Sequence, residues 1–215
     1  YSVDVANTSS ENVENTYSIY FDGNADNLQL PLINGIKSLT FWVNLNNIEI
    51  GDYLIDCRDD NETIQRLVWN GGNLVNVDGF SSFIINNDSE FINSSYGSFP
   101  TNQWVFVYLE ATEFFNDDIT FFSHHNLEDG GYDESSGNGK IDQISFWNSN
   151  LDVSEIATYM TCPPTGNEEG LVGYWNFEEG PDLGEVIDLT PNGNNGTING
   201  ATYSEDVPEQ NCSFN

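Results

Sequence analysis

The acidic turn DGNADN, residues 22–27, places Asp22, Asn24 and Asp26 at alternate positions, the spacing at which a turn offers oxygen ligands to a hard cation. It lacks the glycine at position six and the distal glutamate of an EF-hand, so that loop class is excluded. An Asx-rich hairpin turn uses the same residues, and both readings remain open. A second acidic stretch, HHNLEDGGYDESSGNG (124–139), carries Asp129, Asp133 and Glu134 around Tyr132. The carboxylates could hold a cation or contact a ligand, with the tyrosine ring against a sugar; a solvated acidic loop is the plainer alternative. His124 and His125 are neighbours, point to opposite faces of a strand and cannot easily chelate one ion.

Of the five tryptophans, Trp42, Trp104, Trp147 and Trp175 lie inside strand patterns and read as core or sheet-face packing. Trp69, followed by NGGN, is the one expected at a loop edge. An exposed aromatic among Asn and Asp side chains suits carbohydrate, whose apolar ring face stacks while its hydroxyls bond to carboxylates and amides. No G-x-S-x-G, no H-E-x-x-H and no cysteine close to a histidine in sequence is present, so nucleophilic and zinc hydrolysis lack their parts.

These residues need a scaffold, and composition allows one. The 215 residues are 38% hydrophobic and 13% aromatic, enough for a genuine core. Four Lys and Arg stand against 35 Asp and Glu, a formal charge of −31 that repels nucleic acid and anionic membrane surfaces. The charge leaves solubility and divalent cations as its uses. No apolar run approaches the roughly 20 residues of a membrane span, and the first residues resemble no signal peptide, so a soluble, processed chain cut from a longer polypeptide is expected. Three cysteines, Cys57, Cys162 and Cys212, form no C-x-x-C pair. The economical reading is one disulfide, Cys162 to Cys212, with Cys57 left over; three buried thiols are the alternative. That bridge would close about 50 residues, contribute roughly 4 kcal/mol and imply an oxidising, extracellular setting.

The strand signals are short and frequent: TYSIYF (16–21), SLTFWVNL (38–45), DYLIDC (52–57), RLVWN (66–70), SFIINN (82–87), QWVFVYLE (103–110), ITFFSH (119–124) and IDQISFWN (141–148). Only DVSEIATYM (152–160) has helical spacing, with Val153, Ile156, Ala157 and Met160 on one face and Asp152 placed to cap. An all-β sandwich with one short helix follows. The expected organisation is a lead-in or linker over 1–15, one domain over 16–207 and a tail over 208–215. The stretch after the Pro pair at 163–164 is too short for a core of its own and must pack on what precedes it.

Several stretches together, YSIYFDGNADNLQLP, SLTFWVNL, QWVFVYLE, GNGKIDQISFWNSNLDVSEI and GLVGYWNFEEG with DLTPNGNNGTINGATY, resemble the laminin G-like, concanavalin A-like jelly-roll domains of bacterial secreted and cell-surface proteins. The resemblance implies two antiparallel sheets packed face to face. It also implies a circular permutation, because the LVGYWNF block usually comes before the FDG strand and here comes after it; alternatively the block pairs with a following domain. In that family the turn is often part of a structural calcium site beside the Asp of the G.ID strand, which implies Ca2+ held by Asp22, Asn24, Asp26 and Asp142. The related endoglucanase-type jelly rolls carry an E-x-D-x-E or E-x-D-x-x-E strand that this chain lacks, since EVID (185–188) and EIGD (49–52) have neither the spacing nor the second Glu. The expected function is thus a non-catalytic, extracellular adhesion module that recognises glycan or a surface partner, with Trp69, Asp129, Tyr132 and Asp133 at the ligand. The alternative is a spacer or assembly module of a large surface protein, with neighbouring domains as its only partners.

Overall fold

Strand β9, Asn138–Trp147, shows how alternation builds this molecule. Ile141, Ile144 and Phe146 point into the core, while Asp142, Ser145 and Trp147 point outward. The alternation survives a bulge because Gln143 takes a left-handed conformation (φ 49°) and adds one residue opposite the partner strand.

The structure, a computed structural model, describes residues 14–58, 64–69, 74–86, 96–97, 99–124, 137–181 and 185–212. In chain order the elements are β1 (Ser18–Asp22), β2 (Asn27–Asn47), β3 (Tyr53–Arg58), β4 (Ile64–Trp69), β5 (Leu74–Asp78), β6 (Phe80–Ile85), β7 (Tyr96–Gly97), β8 (Val105–Phe121), β9, α1 (Val153–Thr161), β10 (Leu171–Trp175), β11 (Glu185–Val186), β12 (Gly196–Asn199) and β13 (Thr202–Ser204). All the strand pairs are antiparallel.

Two strands are long enough to serve both layers. The second half of β2, from Ser38, pairs with β9 and with the start of β8, whereas its first half pairs with β12 and with the end of β8. The front layer therefore runs β13, β1, β9, β2, β8, β6, with β10 beside β1 on the free edge of β9. The back layer runs β11, β12, β2, β8, β3, β4, β5, β7. Phe121 of the back layer meets Phe41 edge-on at 5.6 Å and Phe146 in a stack at 6.5 Å, joining the two inner faces. This is the expected jelly-roll sandwich.

The late block does not stand apart. Strands β10, β12 and β13 pair with β9, β2 and β1 of this same chain. Backbones come close where side chains are absent: a Cβ on Gly139 would lie 2.5 Å from the Asn44 carbonyl oxygen, so β9 can approach β2 only as glycine there.

Helix α1 starts at the expected cap. The Asp152 carboxylate accepts the N–H groups of Ser154 and Glu155, and Glu155 returns the bond to the Asp152 N–H. Ile156 is buried against the outer face of the front layer with Trp147 and Tyr174, and Tyr159 and Met160 pack beside it. Val153, expected on that face, is exposed, because it lies in the first turn beyond the reach of the sheet.

Candidate functional site

The outer face of the front layer carries Thr40, Trp42 and Asn44 from β2, Phe106 and Tyr108 from β8, and Asp142, Ser145 and Trp147 from β9. Helix α1 covers one end, where the Thr40 and Ser145 hydroxyls share a 2.5 Å hydrogen bond and Ser145 accepts the Trp147 indole N–H. The other end is crossed by an extended strap, residues 205–212, which has no strand of its own.

Polar contacts hold the strap. Asp206 accepts the Trp104 indole N–H at 3.0 Å and pairs with Lys140 at 2.9 Å, and its carbonyl accepts the Ser18 hydroxyl. The Gln143 amide donates to Gln210 at 2.6 Å, and a Cys162–Cys212 disulfide closes the far end on the C-cap of α1. The bulge at Gln143 gives the strap its grip, since it turns a side chain of β9 toward residues that a regular strand would leave unmatched.

The strap divides the outer face into two clefts that share Glu209 and Gln210. The smaller, of 390 Å³, has Trp42, Trp104 and Met160 as apolar surface and Asn86, Glu209 and Asn211 as polar rim. Beside it the Trp42 indole N–H is buried with no acceptor among the described residues. Indole faces beside amides and a carboxylate can stack on a sugar ring and bond its hydroxyls.

The larger cleft, of 780 Å³, is lined by Glu14, Asn15, Gln143, Tyr174, Glu178 and the Pro163–Pro164 pair among others. Glu178 anchors its edge by accepting the backbone N–H groups of Thr16 and Tyr17. Behind the wall lies Asp142, fully buried, with one carboxylate oxygen bonded by the Asn15 amide at 2.9 Å. Burial pushes the Asp142 carboxyl well above the ordinary carboxylate range; the Asn15 bond and the Gln143 backbone N–H pull it down, and the Glu178 charge adds to the rise.

That shift has a measurable sign. The unfolded chain gives up the Asp142 proton near the ordinary value of about 3.9, before the folded chain does. The associated stability is therefore complete below that pH and lost as pH rises toward the folded value. Denaturant titrations at stepped pH should show the wild type losing stability as pH rises above about 4 relative to Asp142→Asn; two parallel curves would contradict the assignment. Asp26, Asp52 and Glu179 are raised in the same direction, chiefly by burial, so the difference between the two proteins is the quantity to read.

Several expected site residues lie elsewhere. Trp69 is 2% exposed and meets Phe99 edge-on at 5.8 Å inside the core, because β4 turns its indole inward; it offers no face to a ligand. Asp22, Asn24 and Asp26 share one turn, but the carboxylates serve backbone there: Asp22 accepts the Asn24 N–H and Asp26 accepts the Asp22 N–H. Asp26 also packs on Gly200, where φ is +77° and a Cβ would run into its carboxylate. The β1–β9 register sets Asp22 opposite Asn138, four residues from Asp142, or roughly 13 Å along the strand. The four residues expected around Ca2+ do not form one coordination sphere, and among the described residues no group of three or more Asp, Glu, His or Cys side chains is placed to hold a metal.

Asp129, Tyr132, Asp133, Glu134 and His125 lie outside the described residues. His124 packs at 4.8 Å on the Tyr53 ring, and Cys57 is a buried free thiol whose ionisation burial opposes. The residues missed in the sequence are the strap and Asn86, which carry no periodicity; the hint was the pair Trp42 and Trp104, each on a face that alternation turns away from the core.

No protein-family model matches the chain, and no curated protein sequence matches it. Among solved structures it is similar to a candidate carbohydrate-binding protein of Bacteroides ovatus, with 14% identity and a TM-score of 0.59 over 90% of this chain. The matched part is 60% of that protein's length. It is also similar to a heptameric SAP-like pentraxin of Limulus polyphemus, with 15% identity and a TM-score of 0.48, covering 83% of this chain and 97% of the pentraxin chain. At such identity the Bacteroides likeness is one of fold, and it agrees with the registers above: the chain is an all-β, two-layer antiparallel jelly roll.

Proposed function

We propose that the chain is a non-catalytic, extracellular carbohydrate-binding module that takes its glycan on the outer face of the front layer, at the cleft of Trp42 and Trp104. The observation that carries this reading is the pairing of two indoles with Asn86, Glu209 and Asn211 around one 390 Å³ cleft. The Bacteroides ovatus structure lends support as a candidate carbohydrate-binding protein with the same fold. The Cys162–Cys212 disulfide suits an oxidising compartment. The non-catalytic part rests on the sequence, which has no paired-carboxylate strand and no activated nucleophile.

A glycan array followed by calorimetric titration of the hits tests it. Trp104→Ala should weaken the best hit by about tenfold, the upper end of what one stacked aromatic contributes. Trp104→Phe should retain most of the affinity, since it keeps a ring and removes only the bond to Asp206. Unchanged affinity in Trp104→Ala would move the site off this cleft. An array without hits would leave the domain as a spacer of a larger surface protein.

A further inference from the structure

Four asparagines crowd the loop and strand that follow Asp188, and their side chains are used differently. The amide nitrogens of Asn192 and Asn194 donate to the Val172 carbonyl, and that of Asn199 donates to the Asn27 side-chain oxygen. Asn195 is held the other way round. Its Oδ1 accepts the Asp188 N–H at 3.1 Å, while its exposed amide nitrogen makes no hydrogen bond among the described residues. Of the four, only Asn195 has a hydroxyl residue two positions on, Thr197, and the residue between them is a glycine and not a proline. The one side chain pinned by its oxygen and open at its nitrogen thus opens the one N-x-T triplet of the segment.

We propose that Asn195 is an acceptor for N-linked glycosylation, at the start of β12 and outside both clefts. The donor is an oligosaccharide carried on a polyprenyl pyrophosphate. A bond forms between Asn195 Nδ2 and C1 of the first sugar as the bond from C1 to the pyrophosphate oxygen breaks. The amide gives up one proton to a base of the transferase, and the lipid pyrophosphate leaves with the bonding pair; nothing is oxidised or reduced. The fold tolerates the product, because only the nitrogen is substituted and Oδ1 still accepts the Asp188 N–H that ties the loop. Gly196 is seated where a Cβ would lie 2.6 Å from the Leu30 side chain, while Asn195 and Thr197 on either side of it are exposed. Another triplet, Asn211 to Ser213, is less suited, since Asn211 lines the smaller cleft and Cys212 is tied into the disulfide. Triplets at Asn7, Asn61, Asn87 and Asn93 lie outside the described residues, so occupancy has to be read site by site. The inference rests on the extracellular part of the proposed function, though not on carbohydrate binding.

The test is secretion of the full chain from a cell line with its own oligosaccharyltransferase, under conditions in which an appended N-x-T tag is fully modified. Peptides of the secreted protein are mapped after enzymatic deglycosylation in heavy-oxygen water, which labels each formerly glycosylated Asn. A control without enzyme separates the label from spontaneous deamidation. Asn195 should be labelled in most molecules. Thr197→Ala, which removes an exposed hydroxyl, should abolish that label, Thr197→Ser should keep it, and Asn194 should stay unlabelled in all three proteins. Asn195→Gln repeats the loss should Thr197→Ala fold poorly.

A modified tag beside an unlabelled Asn195 overturns the proposal, and so does a label at Asn195 that survives Thr197→Ala. Occupancy is read without any ligand, so either failure leaves the carbohydrate-binding reading standing. An empty glycan array with a labelled Asn195 does the reverse.

Discussion

Replacing Asp188 with alanine should lower the melting temperature by roughly 8–16 °C, corresponding to about 4 kcal/mol at about 2–4 °C per kcal/mol for a chain of this size. The carboxylate is 6% exposed and accepts four bonds. Its Oδ1 takes the Tyr174 N–H at 3.0 Å and the Thr190 N–H at 2.9 Å; its Oδ2 takes the Thr190 hydroxyl at 2.9 Å and the Asn194 N–H at 2.8 Å. Alanine leaves these donors without an acceptor, and an unmet buried donor costs more than a bond gains. The loop it organises also fixes β10, because Asn192 and Asn194 donate to the Val172 carbonyl and the Asn194 carbonyl accepts the Trp175 indole N–H. Asp188→Asn keeps one acceptor oxygen and should lose about half as much. Scanning calorimetry of the three proteins decides it; an alanine variant melting within about 3 °C of wild type would mean the loop is held by something else.

The second large effect concerns the bridge between Cys162 and Cys212, which are 50 residues apart in sequence. In the chain-entropy model, closing such a loop contributes roughly 4 kcal/mol, so the double variant Cys162→Ser, Cys212→Ser should unfold at a correspondingly lower guanidinium concentration. Its consequence for the site is as large. Without the bridge the strap would rest on the polar contacts of Asp206 and Gln210 and on the buried Pro208, and both clefts share strap residues. Glycan affinity should therefore fall together with stability, and a dithiol reductant should do the same to the wild type. Unchanged affinity in a destabilised variant would show that the noncovalent anchors suffice to shape the clefts.

The sequence carried the fold further than the site, for physical reasons that particular residues make plain. The apolar runs at 16–21, 103–110 and 141–148 are strands in the structure, and over 105–109 and 141–147 both faces are buried, one in the main core and the other in the cluster around Trp147 and Tyr174. The helix was legible because Asp152, a capping residue, precedes Val153, Ile156, Ala157 and Met160 at helical spacing; the return bond from Glu155 came to light only in the structure. What was hidden is the length of β2 and β8. Pro31, Asn34 and Gly35 are residue types that favour turns, yet the segment stays extended because β8 and β12 supply hydrogen-bonding partners from far along the chain. The same remoteness hid the site. Trp69 lies next to a turn-rich stretch and so read as exposed, while the direction of its indole depends on Phe99 and the core, 30 residues on. Asp142 was legible as an important acid, but its partners, Asn15 and Glu178, come from opposite ends of the sequence. A strap without periodicity announces nothing until the sheet beneath it is known.

The disulfide also fixes the route by which force would cross the domain. A pull entering the chain beyond Cys212 reaches Cys162 directly through the sulfur bridge and continues into α1 and β9, so residues 163–211 hang outside the load path as a covalent side loop. Strands β10 to β13, Asp188 with its loop, and the strap all lie within that loop. At the other end, a pull on the segment before β1 would load the β1–β9 ladder, whose antiparallel register at Ile19 and Ile141 starts from the Thr16 and Tyr17 anchor on Glu178. Both clefts share the shielded residues Glu209 and Gln210, so a ligand held there would be gripped by parts of the protein that tension on its C-terminal side does not stretch directly.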